Sequence, residues 1–218
     1  MIVRLLLILV LVSACSGSIA SRIPTYRIHL TDPRAQYRFD NSADGWDTFV
    51  MPRDQALFRV RDGALEAAVV PDVGYVWSLS NTAYRNASIQ ATVQQIEGEP
   101  GTGFGLLCRA NASGDGYYFL ISSTGYFSIL EATDAQSDPV PLVNWQPSET
   151  IHQGNESNEL QAVCVNDYLM FSVNGRFLAE VRDDTHDAGE FGVTVGAVKD
   201  TAWVRFDDII VREADIAG

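Results

Sequence analysis

From Tyr37 onward the chain runs in short apolar bursts, and Gly, Asn, Asp or Pro stands between them. Runs of this kind, rich in Val, Ile, Phe and Tyr and separated by turn residues, predict β-strands. Tyr37–Phe39 and Leu57–Val60 come first, and Ala64–Val70 follows an Asp62-Gly63 step of hairpin type. Tyr75–Leu79 and Ala87–Val93 come next. A central trio covers Gly103–Arg109, Gly116–Ser122 and Tyr126–Leu130. The last five runs are Leu160–Val165, Tyr168–Val173, Arg176–Val181, Gly189–Val195 and Ala202–Val211. Asn174-Gly175 supplies the positive φ angles of a tight turn between two of them. No segment beyond the first residues has a helical period. So many short strands in one body predict an antiparallel all-β sandwich or barrel. Strand parity sorts the central residues. Phe104, Leu106 and Cys108 share one face, opposite Gly105, Leu107 and Arg109; Tyr117, Phe119 and Ile121 alternate with Tyr118, Leu120 and Ser122. Both faces are largely apolar, so parity alone does not say which one is open.

The first residues follow another pattern. Arg4 supplies a positive charge, Leu5–Val12 is unbroken and apolar, and Ser13-Ala14-Cys15 closes the run with small residues. A bilayer-spanning helix needs ~20 apolar residues, so the run is too short to cross and predicts a secretory signal. Val12-Ser13-Ala14-Cys15 resembles the lipobox of bacterial lipoproteins. That resemblance implies removal of residues 1–14, lipid on Cys15, and a protein exported to the outer face of a bacterial membrane, in the periplasm or on the cell surface. The alternative is an ordinary export signal cut a few residues later. Residues 15–35, polar and carrying Pro24 and Pro33, read as a lipid-anchored tether, and residues 36–213 as one domain.

Composition narrows the partners. Hydrophobic residues make up 46% of the 218, which marks a globular chain and not a disordered one. Net charge is −13 and the sole lysine is Lys199, so nucleic acid is excluded as a partner and attachment to a membrane must come from lipid. With Cys15 assigned to lipid, Cys108 and Cys164 remain as a pair in an oxidising compartment, which favours a disulfide over two buried thiols.

The order of the elements resembles the concanavalin A-like lectin/glucanase jelly roll, an antiparallel two-sheet β-sandwich, and is most similar to laminin G-like and glucanase-related domains. Phe39-Asp-Asn-Ser-Ala-Asp-Gly-Trp46 opens the match, Gly103–Arg109 and Gly116–Phe119 carry its middle, and Val204-Arg-Phe-Asp-Asp-Ile209 closes it. The resemblance implies pairing of the first and last strands, and a fold that hosts lectins, glucanases, adhesion modules and spacers alike.

Chemistry must therefore come from the residues. Glucanases of this fold carry a Glu-x-Asp-x-x-Glu strand, and no such strand occurs here; Glu97 and Glu99 lie in a Gly/Pro-rich stretch. His29, His152 and His186 have no nucleophile motif beside them. These readings lean away from an enzyme. Sugars are bound by aromatic faces with a few polar groups fixing hydroxyls. Arg109 beside Tyr117 and Tyr118, extended by Tyr75, Trp77 and Trp145, is the predicted ligand-binding set. Asp40, Asp44 and Asp207 would approach one another where the terminal strands pair, a predicted site for a structural calcium. The expected function is a lipid-anchored module that binds carbohydrate, with a sugar hydrolase or a protein-interaction or spacer domain for an envelope protein as alternatives.

Overall fold

The computed structural model describes residues 23–40, 42–134 and 138–217. The signal segment, Cys15 and the first part of the tether lie outside these described residues. In chain order the strands are β1 (Ile28–Leu30), β2 (Ala35–Tyr37), β3 (Phe49–Val50), β4 (Ala56–Arg61), β5 (Ala64–Val69), β6 (Tyr75–Tyr84), β7 (Ala87–Glu97) and β8 (Phe104–Ala110). They continue as β9 (Gly116–Ile121), β10 (Tyr126–Ala132), β11 (Val140–Pro147), β12 (Asn158–Val165), β13 (Tyr168–Val173), β14 (Arg176–Arg182), β15 (Gly189–Gly196) and β16 (Ala202–Ile216).

They form two antiparallel sheets. The larger has the order β14-β13-β12-β7-β16-β5-β4-β3, with β1 and β2 also paired to β16; the smaller runs β11-β10-β9-β8-β15-β6. Crossovers between non-consecutive neighbours, such as β7 beside β16 and β8 beside β15, make this a jelly roll and not a meander. The expected all-β two-sheet sandwich is what the chain forms. Between the sheets lies one core, in which Phe58, Leu65, Phe119, Phe171 and Phe206 are fully buried. A disulfide joins Cys108 of β8 to Cys164 of β12 and so ties one sheet to the other.

The β16 strand shows how a bulge corrects simple alternation. Ala202, Val204 and Phe206 face the core, then the pairing with β7 shifts between Asp207 and Ile210, and Asp208 takes φ 48. The extra residue moves the inward set to Ile209 and Val211. On one side of β16, β5, β2 and β1 pair end to end along its length.

The span read as a tether contributes β1 and the first residue of β2. Tyr26, Ile28 and Leu30 pack on Val163, Val165, Tyr168 and Met170, the outward face of the larger sheet. Tyr26 meets Tyr168 edge-on with ring centroids 5.2 Å apart, and its hydroxyl accepts from Arg182 at 2.5 Å. The Thr25 amide donates to Glu180 at 2.8 Å. An apolar stripe on the outer face of a sheet needs a cover, and the polar look of residues 23–30 conceals the three apolar side chains that supply it. The ordered domain thus starts upstream of residue 36, and β16 carries it to Ile216.

Candidate functional site

On the smaller sheet, Leu107, Tyr118, Leu120 and Leu130 point away from the shared core. With Tyr75 and Trp77 packed on them, they form an apolar floor on the sheet's outer face. Above this floor opens a hollow of about 840 Å³, lined by Tyr75 and Trp77 of β6, Tyr118 of β9 and Trp145 of β11.

Glycines let these rings lie down on the sheet. A Cβ at Gly114 would sit 2.5 Å from the Trp77 ring, so Trp77 rests on bare backbone at the β8–β9 turn. A Cβ at Gly103 would meet the Tyr75 hydroxyl at 2.7 Å and the Trp145 ring at 3.4 Å. Tyr75 and Trp145, from opposite edges of the sheet, therefore flank one glycine. Tyr75 and Tyr118 pack edge to face at 5.6 Å, and the Tyr118 hydroxyl donates to the Gly114 carbonyl at 2.7 Å. Burial, helped by Asp138, pushes the Tyr75 phenol up to about 12. Tyr118 is raised too, by burial first and then by Tyr75 and Asp115. Both phenols keep their protons at neutral pH.

Trp145 stays 40% exposed and forms a wall between two spaces. On its other side lies a smaller hollow of about 250 Å³, lined by Ser122, Thr124 and Tyr126 and sharing Gly101 and Trp145 with the first. The outer face thus offers an elongated surface with exposed aromatic rings along it.

Four of the six predicted ligand residues, Tyr75, Trp77, Tyr118 and Trp145, come together here. Arg109 and Tyr117 do not. Parity sends Tyr117 inward, where its hydroxyl donates to Asp183 at 2.6 Å and its ring meets His186 edge-on at 5.0 Å. Arg109 takes φ 53, which swings its side chain off the floor. Its guanidinium is buried and donates to the carbonyls of Arg85 at 3.0 Å and His186 at 2.7 Å, joining the loops at that end of the sheet. The hollow also holds residues that sequence patterns did not single out: Asp72, Asp134, Asp138 and the glycines beneath the rings. The visible signal was Gly in the turns flanking aromatic strands. The β11 strand has no apolar alternation around Asn144-Trp145-Gln146, so its pattern does not announce a strand.

Of the predicted calcium ligands, Asp40 and Asp207 come near each other. Asp207 is held above the ordinary carboxylate value by burial first, then by the charges of Asp208 and Asp40, against the pull of the Asp208 amide. The Asp44 carboxylate accepts from the Ser42 hydroxyl instead. Among the described residues, no three His, Cys, Asp or Glu side chains gather into a group able to hold a metal ion. Asp40, Asp44 and Asp207 do not make such a group.

Fold and site together define a two-sheet antiparallel jelly roll with an aromatic-lined hollow on the outer face of its smaller sheet. No family model matches the chain, and none of the curated proteins matches it. Solved structures do. The chain is similar to the carbohydrate-binding module CBM66 from Bacillus subtilis, with 14% identity over 78% of this chain and 96% of that one, at a TM-score of 0.62. It is also similar to a protein of unknown function with a galectin-like fold from Bacillus subtilis, at 13% identity, 88% and 100% coverage and a TM-score of 0.60. The catalytic domain of an endo-1,3-beta-glucanase (laminarinase) from Thermotoga petrophila RKU-1 matches at 10% identity, 86% and 98% coverage and a TM-score of 0.57. At these identities the likeness establishes the fold.

Proposed function

We propose that this chain is a glycan-binding module, exported and held by lipid on Cys15 at the outer face of a bacterial membrane. The observation that carries the glycan reading is the hollow walled by Tyr75, Trp77, Tyr118 and Trp145. Aromatic faces accept the C–H side of a sugar ring, and the two protonated phenols add hydrogen-bonding groups for its hydroxyls. A carbohydrate-binding module and a glucanase among the structural neighbours support the same class of ligand. The membrane reading rests on the lipobox resemblance at Val12–Cys15. Hydrolysis is the second reading, favoured by the Asp72, Asp134 and Asp138 carboxylates in the hollow, since glycosidases need two carboxylates flanking the bond.

A glycan-array screen of the full chain in mild detergent, run with calcium and with a chelator, tests the binding reading. Binding to a defined set of saccharides is expected; binding lost with the chelator would add a calcium site to it. A clean negative on folded protein would overturn it. Release of reducing ends from the bound saccharides separates hydrolysis from binding, and mass spectrometry of membrane-derived protein tests lipid on Cys15.

A further inference from the structure

The hollow carries charge of one sign. Asp72, Asp134 and Asp138 line it, and among the described residues no Lys, Arg or His does. The sole lysine, Lys199, is engaged with Glu99 at 3.1 Å. The aspartates reach the site from separate connections, Asp72 from the β5–β6 turn and the other two from the segment joining β10 to β11. Asp72 stands three residues before Tyr75, and Asp134 and Asp138 come from the connection that leads to the edge strand β11. Asp138 is close enough to Tyr75 for its charge to be felt at the phenol.

Two kinds of attraction for a cation coincide here. Ring faces are electronegative and hold ammonium groups, and carboxylates add direct charge pairing. An anionic sugar would be repelled by both. A neutral sugar would use the rings but make no charge pair with Asp72 or Asp138. A sugar bearing a free amino group uses both: its C–H face lies on Trp77 or Trp145 while its ammonium faces Asp72 or Asp138. The net charge of −13 further concentrates such cations near the surface.

We propose that the hollow selects glycans with free amino groups, of the de-N-acetylated glucosamine type, over their N-acetylated and anionic counterparts. The proposal rests on the glycan reading above and adds the ligand class. Calorimetric titration of the full chain in mild detergent with three hexasaccharides tests it: β-1,4-linked glucosamine, β-1,4-linked N-acetylglucosamine, and a uronic acid oligomer. N-acetylation removes the charge and keeps the ring, so it isolates the ammonium. The glucosamine hexamer is expected to bind about tenfold or more tightly than the N-acetylated one, at two- to fivefold or so per carboxylate pair. That advantage should shrink as salt screens the charges.

Non-specific attraction to an acidic protein is controlled by two double variants of equal net charge. Asp72→Asn with Asp138→Asn should cost the glucosamine hexamer about fivefold or more. Asp184→Asn with Asp215→Asn, both outside the hollow, should leave its affinity unchanged. Equal or tighter binding of the N-acetylated or uronic acid oligomer would overturn the proposal while the glycan reading stands. So would equal losses in the two double variants. No binding by any hexamer or any saccharide on the array would overturn both.

Discussion

Reducing the Cys108–Cys164 bond removes a side-chain cross-link between the sheets, and its cost follows from the chain. The cysteines are 56 residues apart in sequence, in β8 and β12, and both sulfurs are buried in the shared core. Cross-linking a loop of this length withdraws conformational freedom from the unfolded chain worth about 4 kcal/mol on the chain-entropy account. For a domain of this size each kcal/mol moves the melting temperature by about 2–4 °C. Oxidised protein should therefore melt about 8–16 °C above the same protein reduced. The comparison uses one sequence, so no side chain is truncated. Differential scanning calorimetry with and without a phosphine reductant measures it, and thiol titration of unfolded protein confirms each state. A difference below about 3 °C would refute the entropic reasoning, because the loop would then be constrained in the unfolded state without the bond. Free thiols at Cys108 and Cys164 in protein isolated from an oxidising compartment would refute the bond itself.

Other outcomes are equally specific. Trp145→Ala should weaken saccharide binding about tenfold with little change in melting temperature, because the ring is 40% exposed and forms a wall between two hollows; calorimetric titration beside a thermal melt separates these effects. Gly114→Ala should destabilise by about 1–3 kcal/mol and weaken binding together, since φ is +85 and the new methyl would stand 2.5 Å from the Trp77 ring; an unchanged urea midpoint would contradict this. Acid should destabilise the fold. Burial alone would raise Asp183 and Glu180, but bonds from Tyr117 and Thr185 to Asp183, and from Thr25 and Tyr168 to Glu180, hold both below their ordinary values. The stability they lend is full above the unfolded carboxylate range and drains as pH falls through it toward their lowered values, so Asp183→Asn should flatten the fall in urea midpoint between about pH 5 and pH 3. Asp207 is raised, so it acts in the opposite sense: its contribution is full below the ordinary value and lost as pH rises through the raised one. Asp207→Asn should accordingly stabilise at pH 7 and give no gain at pH 3.

Much of this architecture is legible in the residues. The central runs sorted by parity into the faces the structure uses, because β8 and β9 are regular over Phe104–Cys108 and Tyr117–Ile121. Parity failed where the backbone leaves the regular ladder: at Arg109, with its left-handed φ, and in β16, where the bulge at Asp207–Asp208 exchanges the inward set. Trp145 was singled out as an aromatic residue, but its strand was not, since β11 is an edge strand with little to bury and no reason to alternate. The packing of Tyr26, Ile28 and Leu30 depended on a partner surface more than 130 residues away at Val163–Met170, which no local pattern announces. The aspartates of the hollow escaped for a similar reason. They lie in turns, where acidic residues are ordinary, and the sheet's topology alone sets them around the rings.

The placement of β16 has a consequence for how the domain is made. It is the last strand in sequence, yet it lies between β7 and β5 and holds the two parts of the larger sheet together. A growing chain that has exposed everything up to residue 200 has β7 with β12–β14 on one side of the larger sheet and β3–β5 on the other, and no strand of that sheet yet between them. Docking of β1 and β2 must wait as well, since both pair with β16. Closure therefore depends on contacts of long sequence separation made at the very end, a topology that folds slowly. A chain built this way stays an open set of strands until β16 is free to pair, and closes into a sandwich only then.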